Sequence, residues 1–248
     1  MKRALYDVRA GLACVAPLFG IVLALGSAVA AHAATVAIDV GHTLAQPGAT
    51  SARGGAEFEF NRKLAEVLAG ALSGRGITST LIGADGDMAT LSARALAAAG
   101  ADFLLSLHHD SVQPRFIERW QYQGEVRAYS DRNAGFSLFV SRANPRLARS
   151  LACASAIGAA LRRSGFAPSL YHAERIAGES KPFADRKNGV HYYDNLVVLK
   201  TARGPAALLE AGVIVNRGEE LRLSDPAVRG AIAAGVAEGL RRCLGSGR

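Results

Sequence analysis

The sequence predicts an α/β fold: one domain built on a mostly parallel, twisted sheet of about six strands, with helices on both faces. Three observations predict it. Short apolar runs alternate along the chain with segments of helical period. The runs are apolar almost throughout, as strands buried on both faces are. No composition break, internal repeat or low-complexity tail divides the chain, and 50% of its 248 residues are hydrophobic, enough for one full-sized core.

Each element has its own signal. Val36–Val40 is a short apolar run ending at Gly41, a buried strand. Phe60–Arg75 carries Leu64, Val67, Leu68 and Leu72 at helical spacing, and Gly74 and Gly76 stop it. Ile77–Ile82 is a second strand, closed by Gly83. Thr90–Ala99 is a short helix with Thr90 or Ser92 as cap and Gly100 as stop. Phe103–Leu107 is a third strand. Gln113–Gly135 is polar, aromatic and without period, an inserted loop with room for a small hairpin. Ser137–Val140 is a strand. Pro145–Arg163 is a helix with Leu147, Leu151, Ala154, Ile157 and Leu161 on one stripe. Phe166–Gly189 reads as a polar connection. Leu196–Leu199 and Ala206–Leu209 complete the strands. Asp225-Pro226 opens a last helix carrying Val228, Ile232, Val236 and Leu240.

The first 33 residues read as an address. Lys2, Arg3 and Arg9 surround Asp7, Gly11–Ala31 is almost wholly apolar, and Ala31-His32-Ala33 has small residues where a signal peptidase reads. Cleavage is expected after Ala33. The competing reading is a retained anchor, since the run is about long enough to span a bilayer. A lipoprotein signal is excluded because Gly11 sits where the lipobox before Cys14 wants an aliphatic residue. No later segment is apolar for long enough to span. The chain has 29 Lys and Arg against 21 Asp and Glu, a formal net charge of +8. The signal carries three basic residues and one acidic, which leaves +6 for 34–248. That favours an anionic partner. Cys14 leaves with the signal, and Cys153 and Cys243 remain as an even pair in an exported, disulfide-permissive chain. Both lie on helix faces that can share one side of the sheet, so a disulfide between them is expected.

His42, His108 and Glu210 each follow an apolar strand directly. The carboxyl ends of strands in an open parallel sheet line one edge, where ligands bind. Two His and a carboxylate there suit zinc with a water in the fourth position. Position alone leaves open the plainer reading, hydrogen-bonding loop histidines and a salt-bridged Glu. Phosphate-binding glycine loops, the Gly-x-Ser-x-Gly elbow and His-Glu-x-x-His are absent. Cys153 has no His nearby in sequence. His109 is expected to point away from His108, because strand side chains alternate. His191-Tyr192-Tyr193-Asp194 reads as aromatic packing, and His172 takes no role.

Four segments in order carry a resemblance. Val36-Ala-Ile-Asp-Val-Gly-His42, Glu57-Phe-Glu-Phe-Asn61, the stretch from Thr90-Leu-Ser-Ala-Arg94 to Ser106-Leu-His108, and Pro205-Ala-Ala-Leu-Leu-Glu210-Ala-Gly-Val-Ile-Val-Asn216 resemble the zinc-dependent N-acetylmuramoyl-L-alanine amidases. These are cell-wall hydrolases with a phosphorylase/hydrolase-like fold, and the resemblance spans about Ala34 to Leu244. It implies His42, Glu57 and His108 as zinc ligands and Glu210 as the catalytic carboxylate. Glu57 is chosen over Glu59 because it stands four before Asn61. Asn61 and Arg94 are given structural roles, a helix-start hydrogen bond and a sheet-edge salt bridge. The chain departs from the family at Val40, Thr43, Leu44 and His109, all on the rim. The autoinhibitory helix of some members is absent, since Pro145–Arg163 reads as a core helix.

The expectation is a secreted or periplasmic zinc amidase, residues 1–33 its signal and 34–248 its catalytic domain. It cuts the amide between the lactyl group of N-acetylmuramic acid and L-alanine. The expected cofactor is one Zn²⁺, the expected partner peptidoglycan, and the expected form a monomer with no nucleic acid and no membrane span after cleavage; a protein activator is left open. The alternatives are a zinc peptidase cutting within the stem peptide and a wall-binding module without turnover. The Gln113–Gly135 insertion is expected to flank the site, with Trp120, Tyr122 and Tyr129 either stacking on sugars or forming a small aromatic core.

Overall fold

In a computed structural model of the chain, the described residues are Met1, 33–88 and 90–245. The expected signal, apart from its two ends, lies outside them. The elements are, in order, β1 (Thr35–Val40), α1 (Glu57–Ser73), β2 (Thr78–Ile82), α2 (Leu91–Ala97), β3 (Phe103–Asp110), the pair β4 (Glu118–Tyr122) and β5 (Glu125–Tyr129), β6 (Ser137–Val140), α3 (Leu147–Arg163), β7 (Phe183–Asp185), β8 (Val190–Tyr192), α4 (Val197–Thr201), β9 (Ala206–Val213), α5 (Arg217–Ser224) and α6 (Pro226–Gly245).

Seven strands form the main sheet in the order β2-β1-β3-β9-β6-β8-β7. The pairs β1–β2, β1–β3, β3–β9 and β6–β8 are parallel, and β6–β9 and β7–β8 are antiparallel. Val36, Ile38 and Val40 of β1 belong to a large core shared with α1, α3 and α6. Ala37 and, on β3, Leu104 belong to a smaller core shared with α2 and α4. This alternation is the physical reason that both faces of the sheet are covered.

Two expectations change. Leu196–Leu199 is not a strand: Val197–Thr201 is a helical turn whose Val198 and Leu199 are buried in the smaller core. A four-residue apolar run fits a buried strand or a buried helix turn equally well. The sheet gains β7 and β8 from the end of the polar connection and its continuation, where three-residue strands are too short for a period to show. The inserted loop does form a hairpin, β4–β5, paired on its own outside the main sheet. A further helix, α5, is capped by Asn216, whose side chain accepts from the backbone N–H groups of Gly218 and Glu219.

Helices α3 and α6 lie against each other, and Gly239 permits it: a Cβ there would stand 2.4 Å from the Ile157 Cα. The expected disulfide joins these helices, Cys153 to Cys243, with Cα atoms 5.1 Å apart and a sequence separation of 90. A loop of that length is worth about 4–5 kcal/mol when closed in the chain-entropy model. No helix among the described residues is long and apolar enough to cross a membrane.

Candidate metal centre

Strands β1, β3 and β9 are adjacent, and their carboxyl ends carry the site. β1 leaves the sheet through Gly41 and His42, the latter at φ 71°. β3 and β9 run past their apolar runs, so His108 and Glu210 lie within paired strand, side by side in register. Glu57 opens α1, a position where a carboxylate also suits the helix dipole.

Glu57 is the hub. His42 Nε2 lies 3.0 Å from its Oε2 and His108 Nδ1 lies 3.0 Å from its Oε1. Its Oε2 accepts from the Ala49 N–H at 2.9 Å and its Oε1 from the His109 N–H at 3.2 Å. Burial alone would raise the pKa of Glu57, but the hydrogen bonds from His108 and His42 outweigh it and hold the carboxyl below the ordinary range. Glu59, the competing acid, turns outward and pairs with Arg62 at 2.8 Å.

One potential ligand atom from each of His42, Glu57 and His108 falls within 4.8 Å of the others. The glycines allow this convergence. A Cβ at Gly41 would lie 2.4 Å from the His108 ring, and one at Gly48, at φ 80°, would lie 2.4 Å from Glu57 Oε2. Glu57 is buried, while the His42 side chain keeps 30% of its surface exposed, so the cluster is open on one side. Two imidazoles and one carboxylate with an open side are the donor set of a catalytic zinc site. Calcium and magnesium prefer all-oxygen sets. The residues present fit zinc.

Asn61 and Arg94 brace this cluster. Asn61 Nδ2 donates to the Gly41 carbonyl at 3.2 Å and to Glu57 Oε1 at 3.3 Å. Its Oδ1 accepts from His109 Nδ1 at 2.7 Å. His109 thus points away from the metal side, as strand alternation requires, and burial lowers its pKa to about 4. Arg94 pairs with Asp39 at 2.6 Å and donates to the carbonyls of Val40 and His42. A cavity of about 90 Å³ opens beside His42 and His108, walled by Thr43, Gln46, Leu91 and Val198.

Glu210 stands outside the three-residue cluster. Its Oε2 is buried and has no hydrogen-bond partner. Burial pushes its pKa well above the carboxylate range, and the negative charges of Asp110 and Glu57 add to the shift.

The hairpin packs onto the loop that leads to Glu57, with Trp120 Nε1 donating to the Ala52 carbonyl at 3.0 Å. The Arg53 and Arg217 guanidiniums lie 5.3 and 5.1 Å from the Trp120 ring centre, and Tyr122 stacks on it at 5.2 Å. Trp120, Tyr122 and Tyr129 are each half-buried in this cluster.

Sequence reasoning missed one buried charge cluster. His172 Nε2 lies 2.7 Å from Asp110 Oδ2 and its Nδ1 2.9 Å from Glu179 Oε2. Lys181 Nζ meets the same Glu179 oxygen at 2.6 Å. A carboxylate only accepts, so both ring nitrogens carry protons and His172 is an imidazolium. Asp110 is 62 positions away, and no local pattern marks the pair. Burial alone would lower the His172 pKa, but the hydrogen bonds to Asp110 and Glu179 outweigh it and raise it to about 9. A folded-state pKa above the ordinary 6.5 stabilises fully below pH 6.5, and that stabilisation is lost as pH rises through 9. Unfolding free energy is therefore expected to fall by up to about 3 kcal/mol across that window. His172→Gln should flatten the fall in denaturant titrations; parallel pH curves for the two proteins would contradict this.

No curated protein matches the chain significantly. Solved structures do. An N-acetylmuramoyl-L-alanine amidase from Clostridium difficile 630 superposes with a TM-score of 0.67 at 21% identity, covering 87% of this chain and 99% of that one. Ami1, an N-acetylmuramyl-L-alanine amidase from Mycobacterium smegmatis, gives 0.67 at 20%, covering 86% and 97%. The catalytic domain of CwlV, an N-acetylmuramoyl-L-alanine amidase from Bacillus (Paenibacillus) polymyxa, gives 0.64 at 23%, covering 86% and 98%. At these identities the superpositions establish a shared fold. The family model described as N-acetylmuramoyl-L-alanine amidase matches residues 36–242, a span that includes every strand-end residue described above, and the chain belongs to that family.

Proposed function

We propose that the chain is an exported, zinc-dependent amidase of peptidoglycan. It hydrolyses the amide between the lactyl group of N-acetylmuramic acid and L-alanine. The observation that carries this reading is the meeting of His42, Glu57 and His108 on one side of the β3–β9 pair with Glu210 beside them. His42, Glu57 and His108 would hold the zinc, which supplies Lewis acidity to the scissile carbonyl and to the attacking water. Glu57 is itself fixed by two backbone N–H groups and Asn61, which hold its carboxylate in place for the metal. Glu210 accepts the proton of the attacking water and passes it to the leaving amine. Residues 1–33 act as the export signal, and the charge of +6 on 34–248 suits a wall polymer whose stem peptides carry carboxylates.

Digestion of purified sacculi followed by mass spectrometry tests this. The expected products are stem peptides with free L-alanine amino termini, and the digestion should stop with a chelator and resume with zinc. Cuts inside the stem would make the chain a peptidase instead, and no products at all would make it a wall-binding module. The fold should survive chelation, because the two hydrophobic cores are built from apolar side chains and include none of His42, Glu57 and His108.

A further inference from the structure

The sheet register places a third residue in line with the site. Ser137 of β6 stands opposite Glu210 of β9, and Glu210 stands beside His108 of β3. Residues paired in register project to the same face, so the three side chains form a row across three neighbouring strands. Ser137 is 1% exposed, and its Oγ has no hydrogen-bond partner. Glu210 Oε2 is buried and has none either. The second Glu210 oxygen is not among the buried, unpartnered atoms, and it makes no hydrogen bond among the described residues, so it is the one that meets solvent.

Two orphaned polar atoms on directly opposed residues call for one explanation. Opposed Cβ atoms of antiparallel strands stand about 4.5–5.5 Å apart. A serine hydroxyl and a glutamate carboxyl on that spacing meet by side-chain rotation alone. Both nitrogens of His172 are engaged, with Asp110 and Glu179, and the orphaned Nε2 of His191 belongs to a residue paired with Phe139 rather than Ser137. The chain neighbours Phe136 and Leu138 are apolar and buried. Leaving a buried polar atom unpaired is costly, and a hydrogen bond to a charged group is among the stronger ones.

We propose that Ser137 is a positioning residue for Glu210. Its hydroxyl donates to Oε2 of the carboxyl group and fixes the plane of that group, so that the solvent-facing oxygen is aimed at the attacking water. This rests on the reading of Glu210 as the proton carrier, and the hydroxyl itself exchanges no proton with substrate.

The test is a double-mutant cycle on turnover of muramyl-peptide substrate, with zinc content measured for every variant. Ser137→Ala is expected to lower kcat roughly 10- to 100-fold, the effect of one hydrogen bond to a charged group, with KM and zinc content unchanged. Ser137→Thr keeps the hydroxyl and should recover most of the loss. In a Glu210→Gln background, Ser137→Ala should cost nothing more, because the carboxylate it serves is gone. An equal loss in both backgrounds would mean that Ser137 acts through the fold alone and would overturn the inference. A normal kcat for Ser137→Ala beside an inactive Glu210→Gln would overturn it too, while sparing Glu210. Full turnover by Glu210→Gln would bring down the underlying assignment instead.

Discussion

Glu210→Gln is expected to lower turnover by ~10²–10⁴-fold, the usual worth of general acid–base help, while the protein still binds one zinc. Gln keeps the shape and the hydrogen-bonding reach of Glu but cannot accept a proton. Glu210 is not in hydrogen-bonding contact with His42, Glu57 or His108 among the described residues, so its loss leaves the ligand cluster whole. His108→Ala should fail differently. It removes one ligand and one of the two imidazoles that hold Glu57, whose 3.0 Å contact is with His108 Nδ1, so zinc itself should be lost or weakly held. Zinc content measured beside activity separates the two failures. Glu57→Gln and Glu59→Gln complete the comparison. Glu57 is buried between the imidazoles, whereas Glu59 is paired with Arg62 at the surface. Only Glu57→Gln should release metal. Zinc loss by Glu59→Gln with retention by Glu57→Gln would shift the ligand assignment by two residues, and near-normal turnover by Glu210→Gln would end the proposed proton path.

How far these residues were readable in the sequence depended on the range of the forces that place them. His42, His108 and Glu210 stand next to apolar runs, and burial on both faces of a parallel sheet makes such runs plain. Their gathering at one edge then follows from the topology rule for open sheets. Glu57 was different. Nothing in its own surroundings separates it from Glu59, since both acids lie in the first turn of α1. Motif spacing separated them, and the fold gives the physical reason: Asn61, four residues on, shares the Glu57 face of the helix and binds its carboxylate. The His172 cluster, the helical form of Val197–Thr201 and the strands β7 and β8 were not legible. Each is decided by partners distant in the chain. Ser137 was visible only as a strand residue, because its significance lies in a register between β6 and β9 that no local pattern encodes.

Arg94 carries the largest expected stability effect. Its side chain is 2% exposed, and its partner Asp39 is 1% exposed. Nη1 meets Asp39 Oδ1 at 2.6 Å and also donates to the Val40 carbonyl, Nη2 donates to the His42 carbonyl at 2.5 Å, and Nε donates to the Met88 carbonyl at 2.9 Å. Gly83, at φ 68°, makes room for the guanidinium, since a Cβ there would lie 2.9 Å from Nη1. Arg94→Met removes every one of these donors and leaves Asp39 buried with the Ser106 hydroxyl as its remaining partner, at 2.6 Å. An ion pair broken in this way costs about 3–5 kcal/mol, which is a fall in Tm of roughly 6–20 °C for a chain of this size. Lysine should not substitute well, because a single ammonium cannot serve one carboxylate and three carbonyls in a plane. The effect should reach the metal as well. His42 holds a left-handed backbone that costs roughly 1–2 kcal/mol for a residue with a side chain, and the Arg94 bond to its carbonyl helps to hold it there. Arg94→Met is therefore expected to weaken zinc binding in addition to lowering the stability of the metal-free protein. Denaturant unfolding of the metal-free protein and a zinc-affinity titration measure the two effects separately. A variant within about 1 kcal/mol of the parent, with unaltered zinc affinity, would show that the pair between strand and helix does not support the metal loop.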